Sequence, residues 1–170
     1  LPLFANLFTS ANGRKELNFQ GNKKWNSKWS SGVFLHGNQR TQSMDQNADN
    51  FLDVPLTKQI NLLNRWQYTD AKNGWVGFGS IRWINDEKLL GTVGYNPTTD
   101  RNSNLIWGSE IDTKRLDASL KIGYVFPEIP YQTFGFQSAY SKHDQDAYYG
   151  TRIYEIEHES FYGNLLFNSI

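Results

Sequence analysis

Side-chain oxygens recur at alternate positions early in the polar segment 45–53. They stand at relative positions 1, 3, 5 and 9, and the backbone carbonyl at position 7 adds one more donor. Calcium takes about 6–8 oxygen ligands, and loops of the EF-hand type supply them with this alternation. The spacing therefore favours a calcium site made by Asp45, Asn47, Asp49, Phe51 and Asp53.

Two positions depart from that calcium pattern. Position 6 is Asn50 rather than the turn glycine, and position 12 is Leu56 where a bidentate Glu is expected. The alternative is an Asn- and Asp-rich loop whose side chains cap their own backbone. Both interpretations stay open on the sequence, and any calcium site of this composition is expected to bind weakly.

A second group of candidate residues lies in another long polar segment. Tyr95, Arg101 and Trp107 combine two aromatic rings with a guanidinium group. Aromatic side chains and arginine often dominate molecular recognition. We therefore predict that this segment contacts a ligand reversibly, in second place after the segment 45–53.

The chain carries no motif of covalent chemistry. It has no nucleophile elbow, phosphate loop, dinucleotide fingerprint or metalloprotease helix. It also has no cysteine, which excludes disulfides and thiolate metal sites. The 17 basic and 17 acidic residues give a formal net charge of zero, so no bulk field attracts nucleic acid. We predict no enzymatic activity and no nucleic-acid partner.

Runs of alternating apolar and polar residues predict β-strands throughout the chain. The clearest run sets Leu116, Leu120 and Tyr124 on one face and Asp117 and Lys121 on the other. Similar patterns predict seven strands, at 14–25, 29–37, 58–68, 75–83, 116–126, 132–142 and 153–167.

The last of these strands is predicted to be two-faced in the same way. Its apolar face is expected to carry Tyr154, Ile156, Tyr162 and Leu166, with Glu155, Glu157 and Glu159 on the opposite face.

The connections between the predicted strands differ in length. Segments 26–28, 70–74 and 127–130 are brief, whereas 38–57, 85–113 and 143–151 are longer. Short turns at one rim and long loops at the other are typical of an outer-membrane β-barrel. Aromatics at 15 % with only 38 % hydrophobic residues fit a barrel in which alternate residues face lipid. We predict an all-β fold, with 1–170 forming part of one antiparallel up-and-down transmembrane barrel.

Two other architectures are consistent with the same pattern. One is a soluble or surface-attached β-sandwich that binds glycans, with or without calcium. The other is a small closed barrel of about eight strands, in which residues 3–10 supply the additional strand.

Several segments together resemble the early barrel of TonB-dependent outer-membrane receptors of the Bacteroidetes type. They are the run from Trp29 to Asn38, the run from Asp45 to Leu56, Gln59 to Trp66, and the closing Tyr154, Glu157-His158 and Tyr162 to Leu166. The resemblance covers most of the chain and does not indicate a ligand.

The resemblance implies active import of a scarce nutrient across the outer membrane of a Gram-negative bacterium. In that family an N-terminal plug occludes the barrel, and the TonB complex supplies energy through the plug. Such barrels have about 22 strands, so seven strands would form about a third of one. The implied partners are the plug and the remaining strands, on the same or other chains, together with membrane lipid and a small imported ligand.

Overall fold

Eight antiparallel strands in a single sheet make up the computed structural model, which describes residues 3–169. Leu1, Pro2 and Ile170, at the ends of the predicted domain 1–170, lie outside the described residues. The strands are β1 (Leu3–Thr9), β2 (Arg14–Lys24), β3 (Trp29–Arg40), β4 (Leu56–Asp70), β5 (Trp75–Gly91), β6 (Gly108–Val125), β7 (Thr133–Tyr149) and β8 (Arg152–Asn168).

Each strand pairs with its neighbours in sequence, so the topology is a simple meander. The all-β, up-and-down prediction is confirmed, but the count of seven strands is wrong, since residues 3–9 form the eighth. Among the described residues β1 and β8 are the two edges and do not pair with each other. The closed eight-stranded barrel is therefore wrong, and residues 3–169 form no second sheet that could complete a sandwich.

Strands β3 to β7 extend further than their alternation predicted, and β5, β6 and β7 do so by seven or eight residues. The connections at one rim are 25–28, 71–74 and 126–132, and those at the other are 10–13, 41–55, 92–107 and 150–151. The predicted loop 143–151 is wrong, because β7 and β8 meet in a two-residue turn where Gly150 has a φ of 63°. The predicted loop 85–113 shrinks to 92–107. Both faces are polar in these extensions, so no alternation marks them as strand.

The hydrogen-bond register divides the strand residues into two faces. Successive side chains of a strand point to opposite sides, and directly paired residues share a side. One side, which we call the tryptophan face, carries all four strand tryptophans: Trp29, Trp66, Trp75 and Trp83. The other, the arginine face, carries all six strand arginines: Arg14, Arg40, Arg65, Arg82, Arg115 and Arg152.

An apolar band covers the tryptophan face from the short-turn rim upward. On β5 the band runs from Trp75 to Trp83, and on β6 it runs from Leu116 to Tyr124. Beyond it the same face becomes charged, with residues such as Glu87 and Lys114. The band is thus about nine residues tall on the central strands, within the 9–11 residues of a tilted membrane strand.

The last strand carries its two predicted sets of residues on opposite faces, but the register places the glutamates, and not the predicted apolar set, on the face of the apolar band. Phe161, Leu165 and Phe167 lie on the tryptophan face, and Glu155, Glu157 and Glu159 continue that same face above the band. Tyr154, Ile156, Tyr162 and Leu166 lie on the arginine face. Both faces of residues 161–167 are rich in apolar side chains, so only the register with β7 identifies the continuous band.

Very little of the described chain is buried. The buried apolar residues are Tyr95, Ala147 and Tyr148, whereas Ile81 is 59 % exposed and Phe161 74 %. Soluble monomers rarely expose a contiguous apolar patch beyond a few hundred Å². The described chain therefore presents a large apolar surface that its own fold does not cover. None of the described residues forms a helix able to cross a membrane.

Candidate functional site

Two of the predicted ligand contacts lie together against β6 and β7. The Tyr95 hydroxyl donates a hydrogen bond to Glu110 Oε1 over 2.7 Å, and the Arg101 guanidinium pairs with the same carboxylate. Arg101 also lies 5.3 Å from the centre of the Tyr148 ring. The Asn102 N–H donates to the Tyr148 hydroxyl over 2.5 Å. These contacts anchor the loop 92–107 onto the tryptophan face, above the apolar band.

The electrostatics of this anchor follow from its burial. Tyr95 is only 5 % exposed, and this burial, followed by its bond to Glu110, raises the pKa of the phenol above its ordinary value. The hydrogen bond from Arg101 to Glu110 raises the pKa of the guanidinium. Tyr95 therefore stays a neutral donor and Arg101 a cation across the physiological pH range.

The third predicted contact, Trp107, lies where the two long loops meet. Phe51 and Thr92 form a β-bridge, and the Val93 N–H donates to the Asn50 carbonyl over 2.9 Å. The Trp107 ring packs 6.0 Å from that of Phe51. The loops 41–55 and 92–107 thus form one joined surface, on which Trp107 remains about half exposed.

A recess of about 680 Å³ opens beside this joined surface. Its lining carries both signs of charge and includes Arg40, Lys58, Glu87, Arg101, Glu110, Asp112, Asp146 and Glu155. Mixed charges of this kind are suited to polar, hydrogen-bonding contacts rather than to a ligand of one strong sign.

The segment 45–53 is held by its own side chains. Both Asp45 oxygens accept backbone N–H groups, from Asp49 over 3.2 Å and from Asn50 over 2.9 Å. Asp49 accepts from the Phe51 N–H, and Asp53 accepts from the Gln46 N–H, each over 2.8 Å. The capping predicted from the sequence is therefore present.

The described residues contain no group of three or more His, Cys, Asp or Glu side chains placed to hold a metal. In segment 45–53, oxygens that calcium would need already accept hydrogen bonds from the loop. Calcium binding by this segment stays a prediction.

An aromatic collar lines the short-turn rim of the tryptophan face. Trp29 lies 4.8 Å from Tyr68, and Trp75 lies 4.6 Å from Tyr124, measured between ring centres. Trp25, in the first short turn, stacks on Trp66 at 5.9 Å. Clustered Trp and Tyr rings at strand ends are the pattern found where a barrel meets the membrane interface.

Just outside this collar a carboxylate is tied to a turn. The Lys28 ammonium donates to Asp70 Oδ2 over 2.6 Å, the Asn73 amide donates over 2.9 Å, and the Tyr68 hydroxyl donates over 3.2 Å. Asp70 is only 6 % exposed. The bond from Lys28, followed by that from Asn73, lowers the pKa of the carboxyl to about 2.

We expect Lys28→Met to raise the Asp70 pKa toward its ordinary value of 3.8. A carboxyl with a depressed folded-state pKa stabilises the fold above its unfolded pKa and loses that contribution as the pH falls toward its folded pKa. The wild-type contribution is therefore lost between about pH 4 and 2. Carboxyl NMR titration would measure the shift, and Lys72→Met in the adjacent turn is the control. An unchanged Asp70 titration in Lys28→Met would contradict the assignment.

The arginine face collects most of the positive charge of the sheet. Its strand residues include nine Lys and Arg but only three acids, Glu16, Asp86 and Asp117. The basic residues are Arg14, Lys24, Arg40, Arg65, Arg82, Lys88, Arg115, Lys121 and Arg152. The tryptophan face carries nine acids and five lysines. A chain with no net charge thus has one electropositive and one electronegative face.

Two recesses open on the arginine face. One, of about 670 Å³, extends from β2 to β6 and includes Lys24, Arg65 and Lys121. The other, of about 410 Å³, extends from β1 to β5 and includes His36 and Arg82. The sequence alone did not identify Lys24 as a member of this group, because only the register shows which of Lys23 and Lys24 shares a face with Arg65.

Comparison with known proteins adds no relative: no family model, no curated protein and no solved structure matches this chain.

Proposed function

We propose that this chain is a wall segment of an outer-membrane transport barrel, with the tryptophan face in lipid and the arginine face lining an aqueous passage. The observation that supports this most directly is the segregation of side chains by the register. On the central strands the tryptophan face is apolar over a band of membrane height, whereas the other face carries all the strand arginines together with apolar residues such as Phe34 and Phe78. Alternation of lipid-facing and lumen-facing residues is the defining pattern of membrane barrels.

The position of the charges on the tryptophan face supports the same orientation. Between Trp75 and Trp83 of β5 and between Leu116 and Tyr124 of β6, that face carries no charged residue. On these two strands charges begin above the band, and the collar rings Trp75 and Tyr124 form its lower edge; elsewhere on this face Lys23 of β2 and Asp70 of β4 lie towards the short-turn rim. An Arg or Lys at the bilayer midplane of a barrel costs about 2–4 kcal/mol, so a charge-free band is what lipid contact requires.

The edges of the sheet define the partners that the proposal requires. Within the described residues β1 and β8 each have one side without a strand. Unpaired backbone groups are not tolerated in lipid, so further strands must pair with both edges. Those strands would complete a barrel of about 22 strands, as the resemblance to TonB-dependent receptors implies.

Active import energised by the TonB complex through a plug is the finer part of the proposal. It is supported by the resemblance of the strand and loop segments, and the electropositive passage face is consistent with it. Ligand contact would come from the joined loops 41–55 and 92–107 and from polar side chains of the arginine face, by reversible binding without covalent chemistry.

Depth-dependent quenching of tryptophan fluorescence tests the membrane orientation. In one variant Trp83 is the only tryptophan, and in its match only Trp107 remains, with the other five replaced by Phe. We expect lipids brominated on their acyl chains to quench Trp83 strongly, and water-soluble acrylamide to quench Trp107. The soluble glycan-binding alternative would instead be favoured by two results together: acrylamide quenches both rings equally, and the chain stays monodisperse without detergent.

A further inference from the structure

We propose that the arginine face takes a small anionic solute bearing carboxylate or phosphate groups, held first in the recess of about 670 Å³ near the short-turn rim. The inference deepens the proposed function by naming the charge class of the solute, and it rests on that function only in treating this face as the wet one. We call this recess the basic recess; on the arginine face it is lined by Lys24, Arg65 and Lys121 with neutral side chains between them, and Lys23, which belongs to the tryptophan face, borders it as well.

The three cations come from alternate strands of the sheet. Lys24 lies on β2, Arg65 on β4 and Lys121 on β6. Alternate strands are separated by about 10 Å, so Arg65 can reach a group that either lysine contacts, whereas Lys24 and Lys121 are four strands and about 19 Å apart along the sheet. Lys24 and Lys121 belong to a single row across the sheet, and Arg65 lies one row higher. The cations thus border one recess, with Arg65 between the two lysines.

No acid neutralises these cations from within the recess, since its lining contains no Asp or Glu. The nearest acid of the same face on β6 is Asp117, which is already engaged. It accepts from Arg115 Nε over 3.0 Å and from the Ser141 hydroxyl over 2.7 Å. None of the three cations forms an ion pair with another described residue within 4 Å.

Local contacts keep the centre of the recess open and oriented. Arg65 lies 5.0 Å from the centre of the Phe34 ring, a cation–π distance that holds the guanidinium above β3. A side chain at Gly32 would come within 3.3 Å of Arg65 Nε, so glycine leaves room for it. The hydroxyls of Ser80 and Ser119 share a hydrogen bond over 2.8 Å, so one hydroxyl proton stays available as a neutral donor beside the cations. Charged donors with adjacent hydroxyls suit an oxyanion.

The arginine face is also positively charged beyond the basic recess. Nine basic residues against three acids give the whole arginine face a positive potential, and a concave low-dielectric wall focuses such a field. Pores that select anions and phosphates carry Arg and Lys along their lining. A recess of this volume lies within the range of small-molecule sites, about 300–1,000 Å³. The occupant inferred is therefore a small solute rather than a polypeptide.

Calorimetric titration of the full chain in detergent micelles tests the inference. The probes are citrate, which carries carboxylates, and pyrophosphate, which carries phosphates, with glycerol as the neutral reference. Each charged hydrogen bond removed costs about tenfold in affinity, so the triple variant Lys24→Gln, Arg65→Gln and Lys121→Gln should lose detectable binding of whichever anion binds wild type. The two anions separate the carboxylate source from the phosphate source.

The matched control removes the same charge from the same strands on the other face. Lys15→Gln, Lys58→Gln and Lys114→Gln lie on β2, β4 and β6 of the tryptophan face, above the apolar band. The affinity of this control triple variant for the anion should stay within about twofold of that of wild type. Three results would overturn the inference. The two triple variants could lose affinity equally, or wild type could bind the anions no more tightly than it binds glycerol. Wild type could also bind a hexaglutamate peptide while binding neither citrate nor pyrophosphate.

The anion-binding experiment and the lipid-quenching experiment can fail independently of each other. Quenching of Trp83 by brominated lipid without anion binding would overturn this inference and leave the barrel intact. Anion binding by the basic recess without lipid quenching would support this inference and overturn the membrane orientation.

Discussion

Ala118→Arg is expected to lower the free energy of unfolding by about 2–4 kcal/mol when the chain, with both edges paired by the strands that complete its barrel, is folded into phospholipid vesicles. Ala118 lies on the tryptophan face of β6, within the apolar band and between Ile81 and Tyr140 on the neighbouring strands. In the proposed orientation an arginine there would place its guanidinium among the apolar side chains of the band, in contact with hydrocarbon. Unfolding in guanidinium chloride, monitored by tryptophan fluorescence, would measure this loss of stability.

The same substitution one strand away provides the control. Ala139 lies on the arginine face of β7, opposite Ser119 and next in sequence to the residue that pairs with Ala118. The two alanines are therefore at nearly the same height on opposite faces. Ala139→Arg should change the free energy of unfolding by less than about 1 kcal/mol, because the proposed orientation places this side chain in the aqueous passage. Equal losses for both variants would mean that the two faces share one environment.

The alternation of β6 shows why the strands themselves were accessible from the sequence. Leu116, Leu120 and Tyr124 repeat with a period of two, and their face matches the register with both neighbours. Where both faces have the same character the pattern disappears. Residues 161–167 of β8 are largely apolar on both sides, so the sequence separated the two faces of this strand but did not show which of them continues the apolar band. Residues 143–149 of β7 are polar on both sides over several positions, and they were predicted as loop.

The candidate sites show the same division between local and long-range information. Capping in the segment 45–53 is local, and the hydrogen bonds of Asp45 and Asp49 follow its sequence. The anchor of Tyr95 depends on Glu110, whose position is determined by pairing between β5 and β6. The basic recess joins β2, β4 and β6, so no sequence spacing could have revealed it. Charge segregation between faces is invisible in a net charge of zero.

Tyr95→Ala is expected to free the loop 92–107 rather than simply to remove a ligand contact. Tyr95 is among the few buried apolar residues, and its hydroxyl bonds to Glu110. Truncating a large buried aromatic side chain costs about 3–5 kcal/mol. Amide hydrogen exchange at Asp100 and Asn102, whose N–H groups are bonded in the folded loop, should accelerate by more than about a hundredfold.

An identical substitution at an exposed tyrosine separates this anchoring role from a general loss of aromatic surface. Tyr131 lies in the connection 126–132 at the opposite rim and is 52 % exposed. Tyr131→Ala should leave exchange in the loop 92–107 unchanged, because no contact links the two rims. If hydrogen exchange in the loop 92–107 were also unchanged in Tyr95→Ala, the anchoring role would be contradicted. Tyr95 would then be a candidate for ligand contact only. A selective effect at Tyr95 instead leaves Trp107 and Arg101 as the side chains through which the joined loops can meet a solute, since each keeps nearly half of its surface exposed.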